Sequence, residues 1–327
     1  MIDPHVIQHP AALWEGFWGV QLLHIVQTLG LFESLESAES AATLAARLRL
    51  EPRYIELWCL AAHSCGLLEK RENLFLTPTH LRDWLVRSRG FTESHLNLSE
   101  RLNETFQAVF AGRALPEPPI ALRLVLGESL TQNYRWAFED VPAQVPELAE
   151  ALLKAKRALE VGCGTGLGLS ILRSHFSQLE LYGLEPDYEC AREAERSTRA
   201  VIHIGDLPGD HFGKSFDLIV CFRALAGAKE PDTLLSQCAG LLCEDGWLIL
   251  GSEVRDDEAG RKSDGRARSE HFAYQLLSGE SSINFFTRGE LADKLHRAGL
   301  RVIREFPAPD WGTPLFLCSR RGDSASS

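Results

Sequence analysis

An acidic residue and three closely spaced glycines follow one apolar run and form the most informative pattern of the chain. The segment reads Ala158-Leu-Glu-Val-Gly-Cys-Gly-Thr-Gly-Leu-Gly168, with Glu160 inside the run and glycines at alternate positions (Gly162, Gly164 and Gly166). Glycines at a strand-to-helix turn permit a tight bend and let the backbone approach a ligand. The dinucleotide fingerprint requires a glycine where Leu167 stands. The pattern therefore predicts a ligand-binding loop of another kind.

Two further acids follow predicted strands. Glu185 comes nineteen residues after Gly166, and Asp206 follows the next apolar run, with Leu207 behind it. Ligands of an open α/β sheet bind beyond the carboxyl ends of its strands. A carboxylate at Glu185 can accept hydrogen bonds from two neighbouring hydroxyl groups, or it can pair with a basic residue on the surface. The acids therefore predict a polar site at one edge of a sheet.

Residues from about 150 onward alternate between short apolar runs and helical stretches. The runs are 157–161, 179–184, 201–204, 216–221 and 247–251, and the helical stretches lie near 165–176, 187–197, 231–243 and 288–299. Such alternation predicts βαβ units and a mostly parallel sheet. Residues 301–306 and 314–318 predict a final pair of strands. We therefore predict an α/β domain over 151–327.

Residues 1–110 predict helices and one hairpin. Ser40 can cap one helix, Pro52 can begin the next, and residues 67–76 predict two short strands around a polar tip. Helix, helix and hairpin in this order resemble a winged helix. The region holds nine Lys and Arg against thirteen Asp and Glu, which argues against DNA binding. Residues 111–150 predict a helical connector and pocket wall.

Composition narrows the class of protein further. A net charge of -11 over 327 residues argues against binding to nucleic acid or anionic membranes. Polar residues interrupt the apolar stretch 11–30, which predicts a buried helix rather than a membrane span, and no basic region precedes it as in a signal peptide. Eight scattered cysteines, without C-x-x-C or paired Cys/His spacing, predict neither disulfides nor a metal site and indicate a reducing cytoplasm.

The acid-x-Gly-x-Gly-x-Gly pattern resembles the first motif of class I S-adenosylmethionine (SAM)-dependent methyltransferases. With N-terminal signals such as Gly30-Leu31-Phe32 and Phe75-Leu76-Thr77-Pro78, most of the chain resembles the O-methyltransferases of plant and bacterial secondary metabolism. Their winged-helix-like first domain forms a homodimer. The resemblance implies a Rossmann-like seven-stranded catalytic domain with SAM as cofactor. It also implies in-line methyl transfer to a small aromatic or natural-product acceptor, most often on oxygen.

The resemblance implies a role for each residue of the loop and the strand ends. Glu185 would bind the ribose hydroxyls, Asp206 the adenine amino group, and Leu207 would pack on the adenine. Glu160 would fix the loop or bind the amino group of the methionine part, against which Gly162 and Gly164 would lie. Further candidates for the cofactor or acceptor cleft are Gly166, Phe222, Arg223 and Cys163, the last as a small loop residue rather than a reactive thiol. Candidates for the substrate pocket are Trp14, Trp18, Phe272 and Tyr274.

One position departs from the family pattern. Many of these enzymes carry a catalytic His in a Leu-His-Asp-Trp segment after the fourth strand, and alignment on 217–228 puts Ala226 at that His. His271 or Glu253 can serve as the base instead. Alternatively, an acidic phenol, an amine, a thiol or a stabilised carbanion needs no base, or the protein binds SAM without methylating. The charged segment 255–270 predicts a solvated loop or a lid.

Overall fold

The structure is a computed structural model that describes residues 11–113, 119–205, 212, 215–252, 254–255, 284, 286–307 and 313–321. The chain divides into two compact units, Met1–Leu96 and Asn97–Ser327. The sequence predicted a first domain that ends at 110 and a separate connector at 111–150. In the structure the division falls inside the helix Arg89–Phe110, and the connector belongs to the second unit.

The first unit consists of helices and a small antiparallel sheet. Its strands β1 (Glu39–Ser40), β2 (Glu69–Arg71) and β3 (Leu74–Leu76) are ordered β1-β3-β2. The hairpin expected at 67–76 is therefore present, whereas β1 was not predicted. The helices are Ala11–Leu29, Leu31–Ser34, Ala41–Leu48, Pro52–Ser64, Arg82–Arg87 and the first part of Arg89–Phe110.

Local sequence explains where the central helices of this unit begin. The Ser40 side chain accepts a hydrogen bond from the backbone N of Thr43 at 3.1 Å and caps the helix Ala41–Leu48. Pro52 is the first residue of the next helix, where a missing N–H costs nothing. The two helices bury Leu44 and Trp58 in one hydrophobic cluster.

The second unit contains a seven-stranded sheet, which confirms the predicted α/β class. The order is β11-β12-β8-β7-β4-β5-β6, and every neighbouring pair is parallel except the two pairs that include β12. A separate parallel pair joins β9 to β10. The strands are β4 (Arg157–Val161), β5 (Glu180–Glu185), β6 (Val201–Ile204), β7 (Phe216–Phe222), β8 (Leu242–Gly251), β9 (Val254–Arg255), β10 (Phe286–Thr287), β11 (Leu300–Phe306) and β12 (Leu315–Arg320).

The central strands β4, β5 and β7 are buried on both faces, which is why they read as continuous apolar runs, whereas the edge strands β6 and β11 are partly exposed. Along β7, Leu218 and Val220 enter one hydrophobic cluster, whereas Ile219 and Cys221 enter the other. The helices of the unit are Ile120–Glu128, Thr131–Arg135 with a π-helical continuation at Trp136–Asp140, a 3-10 turn at Pro142–Gln144, Pro146–Lys154, Leu167–His175, Tyr188–Thr198, Ala224–Gly227, Pro231–Leu241 and Arg288–Arg297.

The order of the strands reverses at β4, the first strand of the sheet along the chain. β4 lies between β5 and β7, and Val161 pairs with Leu184 on one side and Cys221 on the other. Ligands of open α/β sheets bind at such a reversal, beyond the carboxyl ends of the strands. The loops after β4, β5 and β7 therefore define the place where a ligand site is expected.

Candidate active site

The glycine loop after β4 is packed on two sides and open at its middle. Gly162, Gly164 and Gly166 all have positive φ angles, of 70°, 53° and 89°. A Cβ on Gly162 would lie 2.5 Å from the Cβ of Ala224, and one on Gly166 would lie 2.9 Å from the Cα of Ala194. A Cβ on Gly164 would meet no heavy atom of the described residues within 4 Å. The described residues thus leave the Cβ direction of Gly164 uncovered, although its backbone N–H is bound to Glu185.

The acid inside β4, Glu160, is completely buried. Its Oε1 accepts a hydrogen bond from the hydroxyl group of Tyr134, while Oε2 has no hydrogen-bond partner among the described residues. Burial raises the pKa of Glu160 to about 8, although hydrogen bonds from Tyr134 and the backbone of Leu169 act in the opposite direction. A buried acceptor oxygen without a donor is costly. The carboxyl group is therefore suited to a ligand that brings a positively charged donor.

Glu185 ends β5 and connects the glycine loop to the next helix. Its Oε2 accepts a hydrogen bond from the backbone N of Gly164 at 2.8 Å, and its Oε1 accepts one from the backbone N of Asp187 at 3.0 Å. Burial raises the pKa of Glu185 against these two hydrogen bonds. Each carboxylate oxygen can accept a second hydrogen bond. Glu185 can therefore hold the loop and still bind a pair of hydroxyl groups.

Arg123 fixes the segment that follows Glu185. Its guanidinium group forms ion pairs with Asp187 and with Glu189, the latter at 2.5 Å. The Asp187 side chain also caps the helix Tyr188–Thr198 by accepting a hydrogen bond from the backbone N of Cys190 at 2.8 Å. The sequence did not single out Arg123, because no spacing rule connects it to residues more than sixty positions away.

The loop after β7 contains Ala226, the position at which the sequence predicts that the family His is missing. Phe222 ends β7 and packs its ring against that of Tyr134, with the centroids 4.6 Å apart, and the backbone N of Arg223 donates to the carbonyl oxygen of Gly251 at 2.8 Å. The carbonyl oxygen of Ala226 accepts hydrogen bonds from the backbone N of Asn284 at 2.7 Å and from its Nδ2 at 3.2 Å. No pattern in the sequence predicts that Asn284 contacts this loop.

Several predicted site residues lie outside the described residues, and their roles stay predictions. They are Asp206, Leu207, Glu253, His271, Phe272 and Tyr274, and most of the segment 255–270 lies outside as well. Trp14 and Trp18 lie on the helix Ala11–Leu29 of the first unit, where their side chains are 68% and 61% exposed.

Cys163 is buried, and burial raises the pKa of its thiol far above the ordinary value, so the thiol stays protonated at neutral pH. All eight cysteines are described and are free thiols.

The described His, Cys, Asp and Glu residues form no group of three that could hold a metal ion. None of the described helices combines the length and the hydropathy that a membrane-spanning segment needs.

Curated relatives match parts of the chain. It is 33% identical over 101 residues to the dTDP-3-amino-3,6-dideoxy-alpha-D-glucopyranose N,N-dimethyltransferase of Streptomyces fradiae, covering 30% of this chain and 39% of that enzyme. It is 24% identical over 178 residues to the ubiquinone biosynthesis O-methyltransferase of Marinobacter nauticus, and this match covers 46% of this chain and 66% of that enzyme. The chain thus spans less than two thirds of the length of each of these relatives.

Solved structures match nearly the whole fold. An O-methyltransferase family protein from Burkholderia thailandensis superposes with a TM-score of 0.60 at 17% identity, over 95% of this chain and 96% of the other. Human N-acetylserotonin methyltransferase in complex with SAM superposes with a TM-score of 0.55 at 17% identity. The match covers 97% of this chain and 99% of the other. The model of a methyltransferase domain family matches residues 134–305, which is more than half of the sequence. The chain belongs to this methyltransferase domain family.

Proposed function

We propose that the protein transfers a methyl group from SAM to a small acceptor molecule. One observation carries the proposal: a completely buried acid in β4 keeps one acceptor oxygen without a described partner, directly before a loop that exposes backbone at Gly164. The methionine part of SAM carries an ammonium group, which is the positively charged donor that such an oxygen requires. The residues present therefore fit the cofactor of the family.

Each described acid at the strand ends has a separate task in this proposal. Glu160 binds the ammonium group through Oε2, and Glu185 binds the two ribose hydroxyls through the free lone pairs of its oxygens. Gly164 gives the cofactor access to the backbone. Asp206 and Leu207, beyond β6, complete the site at the adenine.

The acceptor is proposed to be a small aromatic or natural-product molecule that is methylated on oxygen. Support comes from the relatives and structural neighbours that are named O-methyltransferases. The sulfonium methyl that SAM supplies is already electrophilic, so the protein must chiefly align the acceptor and exclude water. Trp14, Trp18, Phe272 and Tyr274 are proposed to contact the acceptor. His271 or Glu253 takes the proton of a hydroxyl group where the acceptor needs a base.

A second candidate is a protein of this fold that binds SAM without methylating. The observation that favours it is the loop at Ala226, the predicted position of the missing family base, where the side-chain amide of Asn284 donates hydrogen bonds to the carbonyl oxygens of both Ala226 and Ala228. The two candidates share the cofactor site and differ only in turnover.

Calorimetric titration and a turnover assay test both candidates. We expect SAM and its demethylated product, S-adenosylhomocysteine (SAH), to bind, whereas NADH should not bind. A methyl-labelled SAM assay against phenols, amines and thiols then separates methyltransferase from binding protein. Tight NADH binding without SAH binding would contradict both candidates. SAH binding with no labelled product from any acceptor would favour the second.

The first unit is proposed to be a winged-helix-like domain that joins two copies of the chain. Support comes from the order of the helices Ala41–Leu48 and Pro52–Ser64 and the hairpin β2–β3, and from the exposed apolar side chains on the helix Ala11–Leu29. Exposed patches of this kind mark protein interfaces. The free state of all eight cysteines supports a reducing compartment, which we take to be the cytoplasm.

The homodimer gives a direct prediction. We expect light scattering to report a dimer for the wild type and a monomer for the double variant Trp14→Glu/Trp18→Glu, because two charges would enter the apolar interface. Leu153→Glu is the matched control, since Leu153 is 73% exposed on a helix of the second unit. That variant should stay dimeric. A monomeric wild type would refute the proposed homodimer.

A further inference from the structure

Tyr134 reaches Glu160 from a different element and is tightly enclosed. Tyr134 belongs to the helix Thr131–Arg135, and its ring is buried. The centroid of this ring lies 4.6 Å from the ring centroid of Phe222 and 6.1 Å from that of Phe138. A Cβ on Gly168 would stand only 2.5 Å from Cε1 and 2.6 Å from Cζ of this ring. The missing side chain at Gly168 therefore leaves the space in which the hydroxyl group of Tyr134 meets Oε1 of Glu160.

We infer that Tyr134 is a positioning residue for cofactor recognition: it holds Oε1 of Glu160 so that Oε2 is presented to the ammonium group of the cofactor. The inference rests on the proposed function. An ionised carboxylate only accepts hydrogen bonds, so a donor fixed on one oxygen determines which oxygen remains for the ligand. Among the described residues Oε2 is the oxygen without a partner. Because the aromatic neighbours hold the Tyr134 ring, the carboxyl group of Glu160 is oriented before the cofactor arrives and ionises as the ammonium group binds.

The groups around Glu160 show why this orientation matters. Among the described residues, the other titratable groups that interact with Glu160 or with Tyr134 are Cys163, Cys221 and Glu185, and none of these three is a cation. Burial raises the pKa of both thiols, so they stay neutral. The Tyr134 hydroxyl group is thus the side-chain donor that the described residues direct at the carboxylate, and it favours the ionised form that an ammonium group can bind.

Tyr134→Phe tests the inference, because it removes one oxygen and keeps the ring. We expect the affinity for SAH to fall about tenfold at pH 7.5, the change that corresponds to one hydrogen bond to a charged group. The affinity for 5′-methylthioadenosine, which has the nucleoside but no amino acid part, should stay unchanged. The pH at which SAH affinity levels off should also rise, since the variant loses a group that stabilises the ionised carboxylate. Calorimetric titration measures all three quantities.

Tyr182→Phe is the matched control. Tyr182 and Glu180 both lie on β5, the strand next to β4. The Tyr182 hydroxyl group donates a hydrogen bond of 3.4 Å to Glu180, and this pair is exposed. We expect no change in the affinity for either ligand. If Tyr134→Phe is insoluble, 3-fluorotyrosine in place of all tyrosines provides a second test. A more acidic phenol is a stronger donor, so SAH affinity should level off at a lower pH.

The possible outcomes separate the inference from the proposed function. Unchanged SAH affinity in Tyr134→Phe, or equal losses for SAH and 5′-methylthioadenosine, would overturn the positioning role while wild-type SAH binding still stands. An unmoved pH profile in the fluorotyrosine protein would overturn it as well. If the wild type binds 5′-methylthioadenosine and SAH with equal affinity, the proposed task of Glu160 fails, and the inference fails with it.

Discussion

Gly166→Ala is expected to lower the free energy of unfolding by about 2–5 kcal/mol, a large part of the stability of an ordinary domain. Gly166 has a φ angle of 89°, which costs a side-chain-bearing residue roughly 1–2 kcal/mol. The new Cβ would also stand 2.9 Å from the Cα of Ala194 and 2.7 Å from Cγ2 of Thr198. Because a backbone atom cannot rotate away, this overpacking adds about 1–3 kcal/mol. Urea unfolding with and without SAH measures the loss.

Gly164→Ala is the matched control in the same loop. Its φ angle of 53° lies in the left-handed region, but its Cβ would meet no heavy atom of the described residues within 4 Å. We therefore expect a stability loss of only about 1 kcal/mol, from backbone strain alone. The same Cβ would occupy the face at which the cofactor is proposed to lie, so SAH affinity should fall tenfold or more. Equal stability losses in the two variants would contradict this division of the loop.

The central strands of the second unit could be predicted because both of their faces are buried, although β8 begins at Leu242 rather than at the predicted 247. Arg157–Val161 and Val201–Ile204 have the predicted bounds, and the helix Leu167–His175 lies within the stretch predicted at 165–176. Continuous apolar runs that alternate with segments of helical hydrophobic periodicity are typical of buried parallel strands and their connecting helices. Glu185 could be placed at the end of β5 for the same reason, whereas the place of Asp206 after β6 stays a prediction.

Contacts between distant side chains could not be predicted in this way. Tyr134 meets Glu160 across 26 residues, and Asn284 meets Ala226 across 58. Tyr134 lies in a helix whose apolar pattern explains its burial equally well without a polar partner. The sequence predicts that the family base is missing at Ala226, a prediction that stays open, and it holds no signal that the amide of Asn284 binds the carbonyl oxygens there. Pairs of this kind depend on loop paths, which leave no periodicity in the sequence.

Glu160→Gln is expected to weaken SAH binding about a hundredfold, because it removes one partner of a buried charge pair. The variant keeps an oxygen that can accept the Tyr134 hydrogen bond. Without ligand, the stability of the two proteins should change differently with pH. Burial raises the folded-state pKa of Glu160 to about 8, so between about pH 4.5 and 8 the folded wild type holds a proton that the unfolded chain has released. Its stability therefore falls as the pH rises through this window.

The difference between the two proteins isolates this effect, since glutamine does not titrate. The free energy of unfolding of the wild type should fall by about 1.4 kcal/mol per pH unit. Between pH 5 and pH 8 the free energy of unfolding of the variant should therefore rise by roughly 3–4 kcal/mol relative to that of the wild type. Saturating SAH should flatten the slope of the wild type, because the bound ammonium group stabilises the ionised carboxylate and lowers its pKa. Urea midpoints at four pH values, with and without SAH, measure both effects. Parallel pH profiles of variant and wild type without ligand would mean that Glu160 is already ionised in the free protein, and the buried oxygen would then need a cation other than the cofactor.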